Sequence, residues 1–219
     1  MAKVIIFGNS EIAEIAHFYL KHDSEHEIVG FTVDEAYLNI DKFHALPVVP
    51  YETLEKYYSP IEYKLFIPIS YKKVNQVRAE HYYDAKERGY GFISYISSKA
   101  ACYSTYVGEN CFIFENNVIQ PFTSIGNNCI LWSGNHIGHH SVINDHCFLA
   151  SHVVISGAVT VGEYTFVGVN ATIRDNVKIG KANVIGAGSL ILTDTDDRAV
   201  YSPRGTEKSR VPSNRLRSI

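Results

Sequence analysis

The 219-residue chain has no apolar run of the roughly eighteen residues that a helix needs to cross a bilayer, which argues against a membrane span. Charge of one sign is also lacking: 20 Lys and Arg stand against 23 Asp and Glu, and a net charge of −3 argues against a general nucleic-acid binder. The opening MAKVIIFGNS reads as a strand and turn rather than a charged segment before a signal core, so a cytoplasmic protein is expected. Cysteine is scarce, and Cys111, Cys129 and Cys147 are spaced far too widely for the close Cys or His pairs of a zinc site. They are expected to form a buried column, with Cys102 outside it, and no metal is expected. What remains is 46% hydrophobic, enough for a packed soluble protein of one or two domains.

The strongest positive feature is a period of six. Val107, Ile113, Ile119, Ile125, Leu131, Ile137, Ile143, Leu149, Ile155, Val161, Val167, Ile173, Ile179, Ile185 and Ile191 follow one another without a break. If aliphatics make up about a quarter of residues, such a run arises by chance about once in a billion. Repeats of six mark a parallel β-helix, each unit forming one flat side of a triangular coil and pointing its aliphatic residue inward. The fourth residue after each aliphatic is small or β-branched almost throughout, from Cys111 and Asn117 to Asn183 and Ser189, which leaves room where the coil turns. Glycine often follows the aliphatic directly, as at Gly108, Gly126, Gly138 and Gly162, and a positive φ at the bend is the expected reason.

Residues 1–96 alternate strand and helix patterns, predicting a small parallel α/β unit. Strands are expected at Lys3 to Gly8, Glu27 to Val33, Lys64 to Ser70 and Gly91 to Ile96, the last entering the β-helix. Helices are expected at Glu11 to Lys21 and Lys72 to Arg88. The turn Gly8-Asn9-Ser10 sits where a Rossmann fold places its phosphate loop, and Asp34 where that fold places a ribose-binding acid. The G-x-G-x-x-G fingerprint is absent, which disfavours a nicotinamide cofactor but leaves a helix N-terminus beside Gly8. The β-helix is assigned to 97–195 and a basic tail to 196–219.

Chemistry concentrates in Ser133-Gly134-Asn135-His136-Ile137-Gly138-His139-His140-Ser141 and the following His146 and His152. A β-helix needs no histidine for stability, so this density predicts a site. Ile137 points inward, which sets His139 at a corner as the residue best placed to project and act as a base.

These segments, with Lys3-Val4-Ile5-Ile6-Phe7-Gly8, Gly30-Phe31, Asp34, Ser151-His152-Val153-Val154-Ile155-Ser156-Gly157 and Gly168-Val169-Asn170-Ala171-Thr172-Ile173, carry a resemblance across nearly the whole chain. It resembles the hexapeptide-repeat sugar acyltransferases: N-acetyltransferases of nucleotide-linked 4-amino-4,6-dideoxy sugars and sialic acid O-acetyltransferase-like proteins. The resemblance implies a left-handed β-helix behind a Rossmann-like nucleotide-sugar domain, and a homotrimer with sites between prisms. The implied activity is acetyl transfer from acetyl-CoA to a nucleotide-linked amino sugar for surface polysaccharide such as O-antigen or lipopolysaccharide. His139 matches the family's catalytic histidine. Family members often carry an acidic residue beside it, where this chain has Gly138 and His140. Many have an asparagine seven residues earlier, where this chain has Trp132, with Asn135 as the nearest substitute.

On this reading His139 takes the proton of the attacking amine directly, with Gly8, Asn9, Ser10, Asp34, Asn135, His136 and His140 against the sugar nucleotide. Acetyl-CoA is expected along a prism edge, on Gly157, Gly168, Asn170, Ala187 and Gly188, with a backbone N–H near Gly157 facing the oxyanion. Lys178 and Arg204 are expected at its phosphates, together with other cations on the final coils and tail, among them Arg174, Lys181 and Arg217. Three alternatives stand beside it. They are a sugar or sialic acid O-acetyltransferase, a trimeric zinc enzyme of carbonic anhydrase type using the clustered histidines, and a noncatalytic scaffold.

Overall fold

In the computed structural model, which describes residues 1–215, the chain forms a parallel sheet followed by a three-sided prism. The first unit contains β1 (Lys3–Phe7), α1 (Glu11–His22), β2 (Glu27–Val33), β3 (Lys42–Phe43), β4 (Leu46–Pro50), β5 (Tyr63–Phe66), α2 (Gln76–Glu87) and β6 (Gly91–Phe92). Its strand order is β3-β4-β2-β1-β5-β6, parallel throughout except for the β3–β4 hairpin. The direction of strand addition reverses between β1 and β5. Asn9–Ser10 and the loop through Ser70–Tyr71 leave the sheet at the carboxyl ends of those two strands.

Two differences from the sequence reading have local causes. The hairpin was not anticipated because its turn is His44–Ala45, with φ of 49° and 65°, where glycine or asparagine usually provides the two positive values. Helix α2 starts at Gln76 rather than Lys72, because Lys73, Val74 and Asn75 have φ of 51°, 52° and 65° and form a left-handed turn. A β-branched residue such as Val74 is rarely found there.

The expected strand from Gly91 to Ile96 is two strands in two sheets. Gly91–Phe92 pairs with β5, and β7 (Tyr95–Ile96) pairs with Phe112–Ile113 as a first rung of the prism. From there two-residue strands recur every sixth position, and each pairs with the strand eighteen residues on, as in Val118↔His136 and Ile137↔Ile155. Three faces of seven, six and five strands result. Val200–Tyr201 adds the last strand to the first face, so the segment assigned to the tail begins with a prism rung.

Both inward positions of the repeat are buried: the aliphatics Ile113 to Ile191 and the small residues four positions on, including Cys111, Cys129 and Cys147. The corners follow a rule different from the one expected. Positive φ falls on the third residue after each aliphatic, at Asn110, Asn116, Phe122, Asn128, His140, His146, His152, Ala158, Tyr164, Asn170, Asn176 and Ala182. The glycines that directly follow aliphatics have no positive φ. A Cβ on Gly138 would lie 2.5 Å from the Ser156 carbonyl carbon, and one on Gly162 would lie 2.6 Å from that of Gly180. Close stacking of coils, not bending, requires them.

The first face carries Tyr95, Phe112, Ile130, Phe148 and Phe166 outward, and this apolar column packs with Val4, Ile6, Phe31 and Phe66 of the sheet and Ala13, Ala16 and Leu20 of α1. Helix α2 covers the opposite side of the sheet through Tyr82 and Ala85. The two units therefore share one continuous core.

The glycine rule is testable by paired substitutions. Gly162→Ala is expected to lower unfolding free energy by about 1–3 kcal/mol through forced overpacking. Ala158→Gly, at a corner with φ of 55°, is expected to leave stability unchanged or raise it by up to about 1 kcal/mol. Urea unfolding of the two variants reads both signs, and equal losses would contradict the rule.

Candidate active site

The carboxyl ends of β1 and β5 open onto the first face of the prism, and between them lies a cleft of about 1090 Å³. Asn9, Ser10, Glu11, Glu14 and Ile15 form one wall, and Ser70 and Tyr71 another. Trp132, Phe148, Phe166 and the backbone around Ser151, Gly168 and Ala187 close it from the prism. Tyr71 packs against Phe148 and Phe166 with ring centroids 5.0 and 4.7 Å apart, so aromatic surface lines the base. No lysine or arginine lines the cleft among the described residues. The start of α1 opens onto it, where Ser10 is the N-cap but its hydroxyl makes no capping hydrogen bond.

The Tyr71 wall is fixed by Arg78, which is completely buried on α2. Its guanidinium donates to the carbonyls of Ile69 (3.0 Å), Ser70 (3.2 Å), Asn128 (3.1 Å), His146 (2.9 Å) and Cys147 (3.2 Å) and to Asn75 Oδ1 (3.0 Å). Burial brings this guanidinium down to about 10. Asn75 in turn donates to the Tyr164 carbonyl at 2.9 Å, closing the left-handed turn onto the prism.

The histidines that crowd one stretch of sequence are dispersed in space. His136 faces outward on the second face, and His139 and His140 stand exposed at the edge between second and third faces. His146 is buried at the edge between third and first faces, and His152 is exposed at the edge between first and second. Among the described residues no three His, Cys, Asp or Glu side chains gather as they would around a metal ion. His139 and His140 alone of the five touch each other, Nδ1 to Nδ1 at 3.0 Å. The His139 N–H donates to Gln120 Oε1 at 2.8 Å, and its ring lies over Gly157 of the next coil.

Several expected contacts are corrected. Asn135 is 1% exposed, donates to the Trp132 carbonyl and accepts the Val153 N–H, so it fills a corner and does not face substrate. Asp34 does not line the cleft; its carboxylate accepts from His81 Nε2 at 3.0 Å. Gly8 has φ of 115° and gives its N–H to the Thr32 carbonyl, so it shapes the turn while Asn9 and Ser10 reach the cleft. The Gly157 N–H donates to Asp175 Oδ1 at 2.8 Å and is not free for an oxyanion.

The expected cofactor residues are divided between edges. Gly168, Asn170, Ala187 and Gly188 lie on the edge between first and second faces, Gly157 on the His139 edge, and Lys178 on the third face. Arg174, two coils from His139, is the exposed cation that shares its edge. Arg204 lies in an exposed stretch beyond Tyr201, and Arg217 falls outside the described residues. The sequence reading missed the aromatic wall, although Phe112, Phe148 and Phe166 recur at multiples of eighteen where the other faces carry few aromatics.

Residues 104–139, 122–157 and 158–193 match the family of bacterial transferase hexapeptide, six repeats. The matched residues lie wholly within the prism. No curated protein matches the chain. Among solved structures the whole fold is similar to a histidine-to-asparagine mutant of perosamine N-acetyltransferase from Caulobacter crescentus, in complex with CoA and GDP-perosamine. That likeness covers 91% of this chain and 93% of that one at 22% identity, with a TM-score of 0.81. The acetyltransferase domain of PglB from Neisseria gonorrhoeae, in complex with acetyl coenzyme A, is similar over 90% and 94% at 16% identity, TM-score 0.78. WeeI from Acinetobacter baumannii is similar over 91% and 96% at 16% identity, TM-score 0.72. The likeness includes the sheet as well as the prism. No helix among the described residues is long and apolar enough to cross a membrane.

His146 provides a test of the α2–prism contact. Asn128 donates to its Nδ1 at 2.9 Å, which leaves Nε2 to meet the Tyr83 hydroxyl at 2.9 Å, and burial pushes the ring down from 6.5 to about 4. As pH falls below 6.5 the unfolded chain takes up a proton that the folded chain refuses until about 4. Stability present at neutral pH is therefore lost across that window, by up to about 3 kcal/mol, with His17 adding a loss of the same sign. His146→Asn, which repeats the corner residue of Asn110 and Asn128, is expected to flatten this slope in urea unfolding followed against pH. Parallel slopes in both proteins would show that His146 is not its source.

Proposed function

We propose that the chain is an acetyl-CoA-dependent N-acetyltransferase acting on a nucleotide-linked amino-dideoxy sugar. One observation carries the reading. A cleft at the point where a parallel sheet reverses its strand order, the usual ligand crevice of such sheets, is closed by a hexapeptide prism. The comparison proteins that share this arrangement are nucleotide-sugar and CoA-binding acetyltransferases by name or bound ligand. The α/β unit is accordingly read as Rossmann-like and the prism as left-handed.

In this reading the nucleotide enters the cleft, its base against the Tyr71, Phe148 and Phe166 rings and its phosphates at the start of α1 near Asn9 and Ser10. The base is His139. An ammonium has no lone pair, so the sugar amine attacks the thioester carbonyl in its neutral form; His139 Nε2 takes its proton as the C–N bond forms, and collapse of the tetrahedral adduct expels the CoA thiolate, to which that proton passes. Cys111 and Cys129 are buried and their thiols pushed up by burial, which disfavours an acyl-cysteine route.

His139 and the cleft stand on different edges, separated by a prism side of six residues, up to about 20 Å of extended chain. The face between them presents Val118, Val154 and Leu190, 41%, 38% and 63% exposed, with the half-buried His136 and Thr172 alternating between them. A second copy packed on that face brings one chain's His139 toward its neighbour's cleft, which supports a homotrimer with sites between prisms. Arg174 on the His139 edge is then the nearest cation for the phosphates of CoA. Free cysteines and the use of acetyl-CoA fit a cytoplasmic enzyme supplying acetylated sugars to surface glycans such as O-antigen.

The test is thiol release from acetyl-CoA across a panel of nucleotide-linked 4-amino and 3-amino sugars, with the corresponding hydroxyl sugars beside them. Turnover is expected with an amino sugar, and His139→Asn is expected to reduce kcat by about 100-fold or more. Turnover with hydroxyl sugars alone would replace the reading with O-acetylation, and undiminished His139→Asn activity would remove His139 as the base.

A further inference from the structure

The His139–His140 contact has a chemical consequence that rests on the proposed acyl transfer but is measurable without it. Two imidazole nitrogens 3.0 Å apart need one proton between them. The pair is therefore neither two Nε2–H tautomers, which would oppose lone pairs, nor two imidazolium ions, which would oppose N–H groups. One ring carries its proton on Nδ1 and the other accepts.

Both rings are held in place. The His139 backbone N–H is tied to Gln120, and its ring lies on Gly157, where even a methyl group would come within 2.8 Å of Cε1. His140 occupies a corner with φ of 59°, and its ring packs at 4.8 Å on Phe122 from the coil before. The two imidazoles meet nearly perpendicular, at 85°, so the N–H of one can point along the lone pair of the other. Neither ring has another side-chain hydrogen bond among the described residues.

We propose that His140 is the positioning residue for His139: it accepts the His139 Nδ1–H, leaving His139 Nε2 unprotonated at the prism edge as the base. Imidazole in water prefers the opposite tautomer, with the proton on Nε2, so an acceptor fixed at Nδ1 selects the form that can take a proton. When Nε2 takes the proton of the amine, the existing bond becomes Nδ1–H⁺ to a neutral imidazole. Hydrogen bonds with one ionised partner are roughly twice as strong as neutral ones. The acceptor therefore supports the proton-bearing transition state more than the resting enzyme, and it does so without a carboxylate.

The test uses full-length protein labelled with ¹⁵N-histidine, in mildly alkaline solution. Wild type is expected to show His139 with pyrrole-type Nδ1 and pyridine-type Nε2. His140→Ala, which places at this corner the residue already found at Ala158 and Ala182, is expected to return His139 to the Nε2–H form. Its kcat is expected to fall about 10–100-fold while KM for both substrates stays within about 2-fold. His140→Gln, whose carboxamide oxygen can accept the same N–H, is expected to recover most of the loss. An Nε2–H His139 in the wild type overturns the proposal, as does unchanged kcat in His140→Ala. If wild type acetylates no sugar in the panel, the acyl-transfer reading fails separately, and the tautomer spectra still decide whether His140 orients His139.

Discussion

Among the described residues no carboxylate meets the buried cation Arg78, and the arrangement of cleft, sheet and prism depends on how its charge is satisfied. Six oxygens surround the guanidinium, drawn from the loop after β5, from Asn75 and from two prism corners. Dipoles from three parts of the chain replace the counter-ion, and losing any one of them leaves charge exposed to a dry interior. The Arg78 bonds to Ile69 and Ser70 hold the loop that puts Ser70 and Tyr71 on the cleft. The bond to Asn75 holds the end of a left-handed turn that Val74 would not adopt unaided. Strain at the cleft wall is thus offset by a charge buried one helix turn away.

The prism imposes a second constraint, because its geometry sorts residues by position modulo eighteen rather than by nearness in sequence. Six residues cross one face, so residues six apart stand on different edges and residues eighteen apart stack. This separates His139, His146 and His152, whose crowding in sequence suggested a common site, and leaves His139 with His140 at one corner. It also gives each face its own character. Aromatics fill the first, where the sheet docks, and exposed Val118, Val154 and Leu190 occupy the second.

Legibility in the sequence followed the range of the forces involved. The period of six, the buried cysteine column and strand β2 could be read directly, because each depends on which side chain leaves water. Helix α1 was also legible, since Ala13, Ala16 and Leu20 recur at helical spacing. The hairpin was not, because His44–Ala45 adopts a turn by tertiary support and not by local preference. Asn135 and Asp34 looked like ligand-binding groups, yet Asn135 serves the backbone of its own coil and Asp34 is taken up by His81. Polar type alone does not distinguish a group facing a ligand from one closing a corner. The corner glycines were identified correctly as special, but for a reason invisible along the chain, since the atoms that exclude a Cβ belong to the next coil.

The same sorting bears on how the proposed reaction is assembled. Among the described residues the cleft offers helix N–H groups, hydroxyls and aromatic faces but no imidazole, and it has carboxylates at Glu11 and Glu14 rather than a cation. The proposed base, His139, stands on another edge, paired with His140, with Arg174 on the same edge. Each half lacks what the other has. In the proposed assembly a neighbouring copy across the second face would supply the missing half without any loop inserted into the repeat, and the prism would act as a rigid spacer that sets the distance between nucleotide and base. Under that arrangement recognition of the sugar nucleotide belongs to the sheet and α1, proton transfer belongs to a corner of the adjoining prism, and the two can vary independently as long as the spacing of six is kept.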